Sequence, residues 1–95
     1  MDRTPCRTPA EGRDGVTNIP TWKFEALRTA ILKILATGPC RWSELTEKVH
    51  QELSDDELAN MGKLGWHVIG VKLELEVRNE IKRLAQPGPQ VISLT

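Results

Sequence analysis

Nowhere does the 95-residue sequence hold an apolar run approaching the roughly 18 residues that a membrane span needs, and no internal repeat is present. The opening Met-Asp-Arg-Thr-Pro-Cys-Arg-Thr-Pro lacks the apolar segment of a secretory signal, so a soluble, cytoplasmic protein is expected. Cysteine is scarce. Cys6 and Cys40 follow neither a metal nor a redox spacing, and two thiols in a cytoplasmic chain are expected to stay reduced. There is no excess of either charge: 13 Lys and Arg balance 13 Asp and Glu. A nucleic-acid module normally presents a basic patch that displaces counterions from phosphates, so a neutral chain could do this only by segregating its charges. Only His50 and His67 are histidines, and beyond a lone Glu47-x-x-His50 pair neither sits in a nucleophile motif or metal-ligand spacing. No Gly-rich phosphate loop appears. Neither an enzyme, a cofactor, a bound metal nor a small-molecule substrate is expected.

What is present is one long, regularly patterned stretch from Gly65 to Ile81. Ile69, Val71, Leu73, Leu75 and Val77 alternate as in a strand, while Val68, Val71 and Leu75 recur at helical spacing. Leu, Glu, Lys and Arg favour helix, and a strand of this length would exceed the usual five or six residues, so the spacing predicts a helix. At about 100° per residue, Val68, Val71 and Leu75 form one stripe. Trp66, Ile69, Leu73 and Val77 form a second, on nearly the opposite side. The helix is apolar on two faces.

The chain, long enough for one modest core, is organised around it. Residues 1–20 mix charges with Pro and Gly and offer little to bury, which predicts a disordered arm whose Arg3, Arg7 and Arg13 are offset by Asp2, Glu11 and Asp14. The folded domain is expected over 21–95. Thr21 is expected to cap a helix running to about Thr37, stopped by Gly38 and Pro39, with Phe24, Leu27, Ile31, Ile34 and Leu35 inward. Cys40 to Trp42 suits a turn or a single sheet bridge. Ser43 then caps a second helix, with Leu45, Val49 and Leu53 as its buried edge. Ser54-Asp55-Asp56-Glu57 has the capping-box form and predicts a short third helix anchored by Leu58 and Met61. Asn79 is placed to end the long helix in the left-handed conformation. Glu80 to Ala85 and Val91 to Leu94 read as strands around a Pro87-Gly88 turn.

This order, with Leu75-Glu76-Val77-Arg78-Asn79-Glu80-Ile81-Lys82-Arg83 leading into a hairpin, resembles the winged-helix class of helix-turn-helix domains. Leu75, Ile81 and Arg83 occupy the class's apolar, apolar and basic places around the helix stop, with Asn79 where Gly is usual. Gly-Trp-His-Val and Val-Lys-Leu-Glu-Leu-Glu also look like a small group of uncharacterised bacterial winged-helix-like proteins. The resemblance implies a mainly α fold with a small C-terminal β-hairpin, an α+β winged helix-turn-helix. It further implies that the helix from about Gly65 to Arg78 is the recognition helix and residues 81–94 the wing.

Two functions follow, neither enzymatic. In one, a DNA-binding, transcription-regulator-like protein holds phosphates through Lys63, His67, Lys72, Lys82 and Arg83, as a dimer. In the other, the outward stripe Trp66, Ile69, Leu73 and Val77 is a protein interface, with a second copy or another chain. The outward residues are poor groove readers, since base contacts are made by Arg, Lys, Asn and Gln, and Glu74, Glu76 and Glu80 would repel phosphate.

Overall fold

The computed structural model describes residues 2–7, 16–85 and 87–95. Within them the fold is α+β, with helices packed around one core and two small sheets at its edges. In chain order the elements are β1 (Arg3–Arg7), β2 (Val16–Pro20), α1 (Thr21–Leu35), β3 (Cys40–Arg41), α2 (Trp42–Glu52), α3 (Asp55–Met61), α4 (Leu64–Val77), β4 (Ile81–Arg83) and β5 (Val91–Leu94).

The core is built from the stripes that the spacing marks. Phe24, Leu27, Ala30, Ile31, Ile34 and Leu35 of α1, Leu45 and Val49 of α2, Met61 of α3, and Val68, Val71 and Leu75 of α4 are all buried. Each such side chain contributes roughly 1.5 to 3 kcal/mol of burial. The ends of α4 and α3 follow their local chemistry. Ser54 Oγ accepts from the Glu57 N–H while the Glu57 carboxylate accepts from the Ser54 N–H, closing the capping box. Asn79 takes φ 60°. The Glu80 N–H then donates to Leu75 O at 2.9 Å and the Asn79 N–H to Glu76 O at 3.1 Å, so two end carbonyls of α4 are satisfied.

Two expected caps are absent because strands run directly into helices. Thr21 is the first residue of α1, preceded by Pro20; its N–H donates to Asp2 O at 2.9 Å and its hydroxyl meets that of Thr4 at 2.9 Å. α2 starts at Trp42 without a Ser43 cap, and the Trp42 N–H donates to Gln90 O at 2.9 Å. In both places another strand or its flank fills the role of a capping side chain.

Strand structure is not confined to a C-terminal hairpin. β4 pairs antiparallel with β5 in the register Ile81 to Leu94, Lys82 to Ser93 and Arg83 to Ile92, and β5 pairs on its other side with β3, giving the order β3-β5-β4. A separate two-stranded sheet forms at the N-terminus, where Arg3 to Arg7 pairs antiparallel with Pro20 to Val16. The expectation of a disordered arm over 1–20 is therefore corrected for residues 3–7 and 16–20; for 8–15 it lies outside the described residues. The physical reason is specific. Cys6 and Ile19 are both buried in the common core, so the little apolar surface this segment has is placed where it counts. Among the described residues no helix is long and apolar enough to cross a membrane.

If the N-terminal hairpin belongs to the folded domain, Ile19→Ala should lower the stability of the whole chain by about 2 to 5 kcal/mol in urea unfolding. A loss below about 0.5 kcal/mol would place the hairpin outside the cooperative unit.

Candidate functional site

α4 meets a different neighbour on each side. With Val68, Val71 and Leu75 inward, Gly70 and Glu74 lie about a quarter turn to one side, under the N-terminal hairpin. Lys72 and Glu76 lie to the other side, towards β4 and the 87–90 turn. The row Trp66, Ile69, Leu73 and Val77 is left between these flanks.

The hairpin flank is held by a buried carboxylate. Glu74 accepts from Arg7 Nε at 3.0 Å and Arg7 Nη2 at 2.8 Å, from the Arg7 backbone N–H at 3.0 Å, and from Arg78 Nε at 2.7 Å. The Arg78 guanidinium also lies over the Phe24 ring, 4.7 Å from its centroid. Arg7 remains 54% exposed above a carboxylate that is 1% exposed. The Arg7 hydrogen bonds, aided by Arg78, hold Glu74 down at about 2 although burial opposes ionisation. Close approach is allowed by Gly70, where a Cβ would come 3.1 Å from Ile19 Cδ1. Burial, with the Glu74 charge adding to it, pushes the neighbouring Cys6 thiol up to about 11, so it stays protonated and is not a nucleophile.

The flank facing β4 mirrors this arrangement. Glu76 Oε1 lies 2.9 Å from Lys72 Nζ and its Oε2 accepts from Arg83 Nε at 2.9 Å. Lys72 Nζ also donates to Gln90 Oε1 at 2.9 Å and sits 4.9 Å from the centre of the Trp42 ring. Burial lowers the Lys72 pKa against the opposing pull of Glu76. Arg83 is 50% exposed over a carboxylate that is 9% exposed.

The residues expected to hold phosphates are thus scattered. Lys63, at the start of α4, and Lys82 are exposed; His67 turns its Nδ1 to Lys63 O at 2.8 Å and stacks edge-on to Trp66 at 5.0 Å. Lys72 is buried and cannot reach a phosphate from there, because its ammonium is spent on Glu76, Gln90 and the Trp42 ring. Arg83 is partly engaged by Glu76.

The expected apolar row, in contrast, stays together. Trp66 is 54% exposed and Ile69 47%, with Leu73 and Val77 half-buried. Beside the row opens a cavity of about 120 Å³ lined by Cys6, Arg7, Thr17, Trp66, Ile69, Gly70 and Leu73. His50 is exposed on α2, and no three His, Cys, Asp or Glu residues among those described come together as metal ligands.

By sequence Arg7 belongs to the expected disordered arm and Glu74 to the groups that would repel phosphate; their pairing beside Gly70 is not foreseen. One local signal is present, since an isolated glycine inside a helix usually has a packing reason.

A family model described as a family of unknown function (DUF6958) matches residues 3–92, a span that takes in the N-terminal hairpin as well as the helices. No curated protein and no solved structure matches the chain.

Because folding holds the Glu74 carboxyl below its unfolded value of about 4.5, its contribution is complete above that pH and is lost as the pH falls towards about 2. Glu74→Gln should therefore cost on the order of 1 to 3 kcal/mol at pH 7, discounted for the half-exposed Arg7 partner. The gap to the unsubstituted chain should close between about pH 4.5 and 2 in acid titrations of urea stability. A gap that persists unchanged to pH 2 would mean Glu74 contributes by packing alone.

Proposed function

The chain belongs to this DUF6958 family of unknown function, and from the geometry of α4 we propose that it is a non-enzymatic, winged-helix-like module that docks another protein through Trp66, Ile69, Leu73 and Val77. The observation that carries this reading is the open apolar row with its polar borders. A half-exposed tryptophan and isoleucine in one line, rimmed by ion pairs, have the anatomy of a protein interface, an apolar centre inside a polar rim. Trp and Arg, both present here, are the side chains that most often dominate binding energy. A reducing, cytoplasmic setting suits Cys6 and Cys40, which are both buried and unbridged.

A second reading, a DNA-binding regulator, is favoured by the element order. The order α1, β3, α2, α3, α4, β4 and β5 is the one on which the winged-helix resemblance rests, and Lys63 and Lys82 are exposed. Against it, Lys72 is withdrawn, Arg83 is shared with Glu76, and the hairpin occupies one flank of the helix that would enter the groove.

Ile69→Lys separates the two because it acts with opposite signs. An added cation at the centre of the row should abolish protein docking, yet leave binding to random duplex DNA unchanged or stronger. Because Ile69 is about half exposed, the substitution should shift stability by no more than about 1 kcal/mol. DNA binding by the unsubstituted chain that falls steeply with salt and survives Ile69→Lys would favour the second reading over the first.

A further inference from the structure

We propose that the partner segment taken by the α4 row is acidic and amphipathic, seating one aliphatic side chain in the cavity beside Gly70 while its carboxylates meet Arg7 and Arg83. This deepens the protein-docking reading and rests on it. The row supplies the apolar half of the argument. The 120 Å³ cavity is bounded mainly by Cys6, Trp66, Ile69, Gly70 and Leu73, and fits a single apolar side chain rather than a metabolite.

The rim supplies the charge. On the hairpin flank one carboxylate, Glu74, faces two cations, Arg7 and Arg78; on the flank facing β4 one carboxylate, Glu76, faces two cations, Lys72 and Arg83. Each cluster therefore carries one net positive charge. Extending the first through Glu80 and Arg28 adds one charge of each sign and leaves that balance unchanged. The carboxylates lie underneath and the guanidiniums on top. Arg7 uses its Nε and one Nη on Glu74, and Arg83 uses its Nε on Glu76, so both retain N–H donors for an incoming carboxylate.

The same rim argues against other occupants. A second copy docked with the α4 helices antiparallel across a two-fold axis sets Arg7 against Arg7. With the helices parallel, Arg7 meets Arg83. Either way guanidinium faces guanidinium at the border of the interface. Duplex DNA would satisfy the arginines but would press Trp66, Ile69 and Leu73 against a polar groove. An acidic segment with an apolar face satisfies the row and the rim together.

The test is selection of a random dodecapeptide display library on the 95-residue chain, followed by affinity measurement of the enriched peptides. Enriched sequences should combine a Leu, Ile, Met or Phe with flanking Asp or Glu. Their binding should fall at least tenfold with Ile69→Lys, fall roughly threefold to tenfold with Arg83→Gln, and weaken with added salt. Arg83→Gln alters a half-exposed side chain and leaves Lys72 on Glu76, so circular dichroism should be unchanged and the thermal midpoint only slightly lowered; Arg7→Gln is a second variant, read only if its midpoint confirms folding. Enriched peptides that require Ile69 but carry basic or uncharged flanks would overturn the acidic-partner inference and leave protein docking standing. No peptide whose binding depends on Ile69, with no Ile69-dependent self-association by solution mass, would overturn both. Tight binding of a random duplex of about 20 base pairs that Ile69→Lys fails to weaken would overturn both in favour of phosphate binding. Enrichment that appears only after residues 9–14 are replaced by an Asn-Gly turn would make the chain's own segment the occupant, and would also overturn the inference.

Discussion

A single buried carboxylate joins the two ends of this small fold. Glu74 lies in the last turn of the fourth helix with almost no access to water, and a charge so placed is tolerable only when fully partnered. Its partners come from opposite directions: the side chain and backbone of Arg7 in the first strand, and Arg78 one turn further along its own helix. Removing either arginine would leave the buried charge only partly compensated, whereas replacing the whole cluster by apolar groups of similar shape would be far less costly. The carboxylate thus fixes where the hairpin lies more than it adds to net stability. That position determines which part of α4 remains open.

The consequence is a helix with four unlike sides. One is core, one lies beneath the N-terminal hairpin, one is tied to β4 and Gln90 through Arg83 and Lys72, and the last is apolar and open. A recognition helix that reads DNA keeps polar side chains on its outward side and basic ones free beside it. Here Lys72 is buried against Glu76, Arg7 and Arg83 each give only part of their donors to a carboxylate, and the row itself is Trp, Ile, Leu and Val. Frame does not determine function, and it is the chemistry of this outward side on which the protein-docking proposal rests.

Much of this was legible in the sequence. The helix assignment for 65–78 rested on composition against an equally good strand alternation, and Val68, Val71 and Leu75 are inward as that choice requires. The capping box at Ser54 and the left-handed stop at Asn79 were readable because each depends on a few adjacent residues. The apolar row was visible as a second stripe. The hairpin was not visible, because its two strands, five residues each, read as polar and proline-bearing; what orders them is pairing with each other and contact with α4, both distant in sequence. The fate of Lys72 was hidden for the same reason. Its burial depends on Trp42 and Gln90, 30 residues before it and 18 after, which no local spacing reports. Thr21 and Ser43 misled as caps because β2 and β3 run straight into α1 and α2, whose first N–H groups donate to Asp2 and Gln90, the residues just before β1 and β5.

The open side of α4 is defined above all by the N-terminal hairpin being a fixed part of the domain. Residue-resolved amide hydrogen exchange on the full chain tests this most directly. It should show the paired amides of 3–7 and 16–20 protected to an extent comparable with the core amides of α4, with the hairpin's protection lost first in Glu74→Gln. Exchange of the paired hairpin amides at the rate of an unstructured peptide, while α4 stays protected, would contradict the account, since the covered flank of α4 would then be open as well.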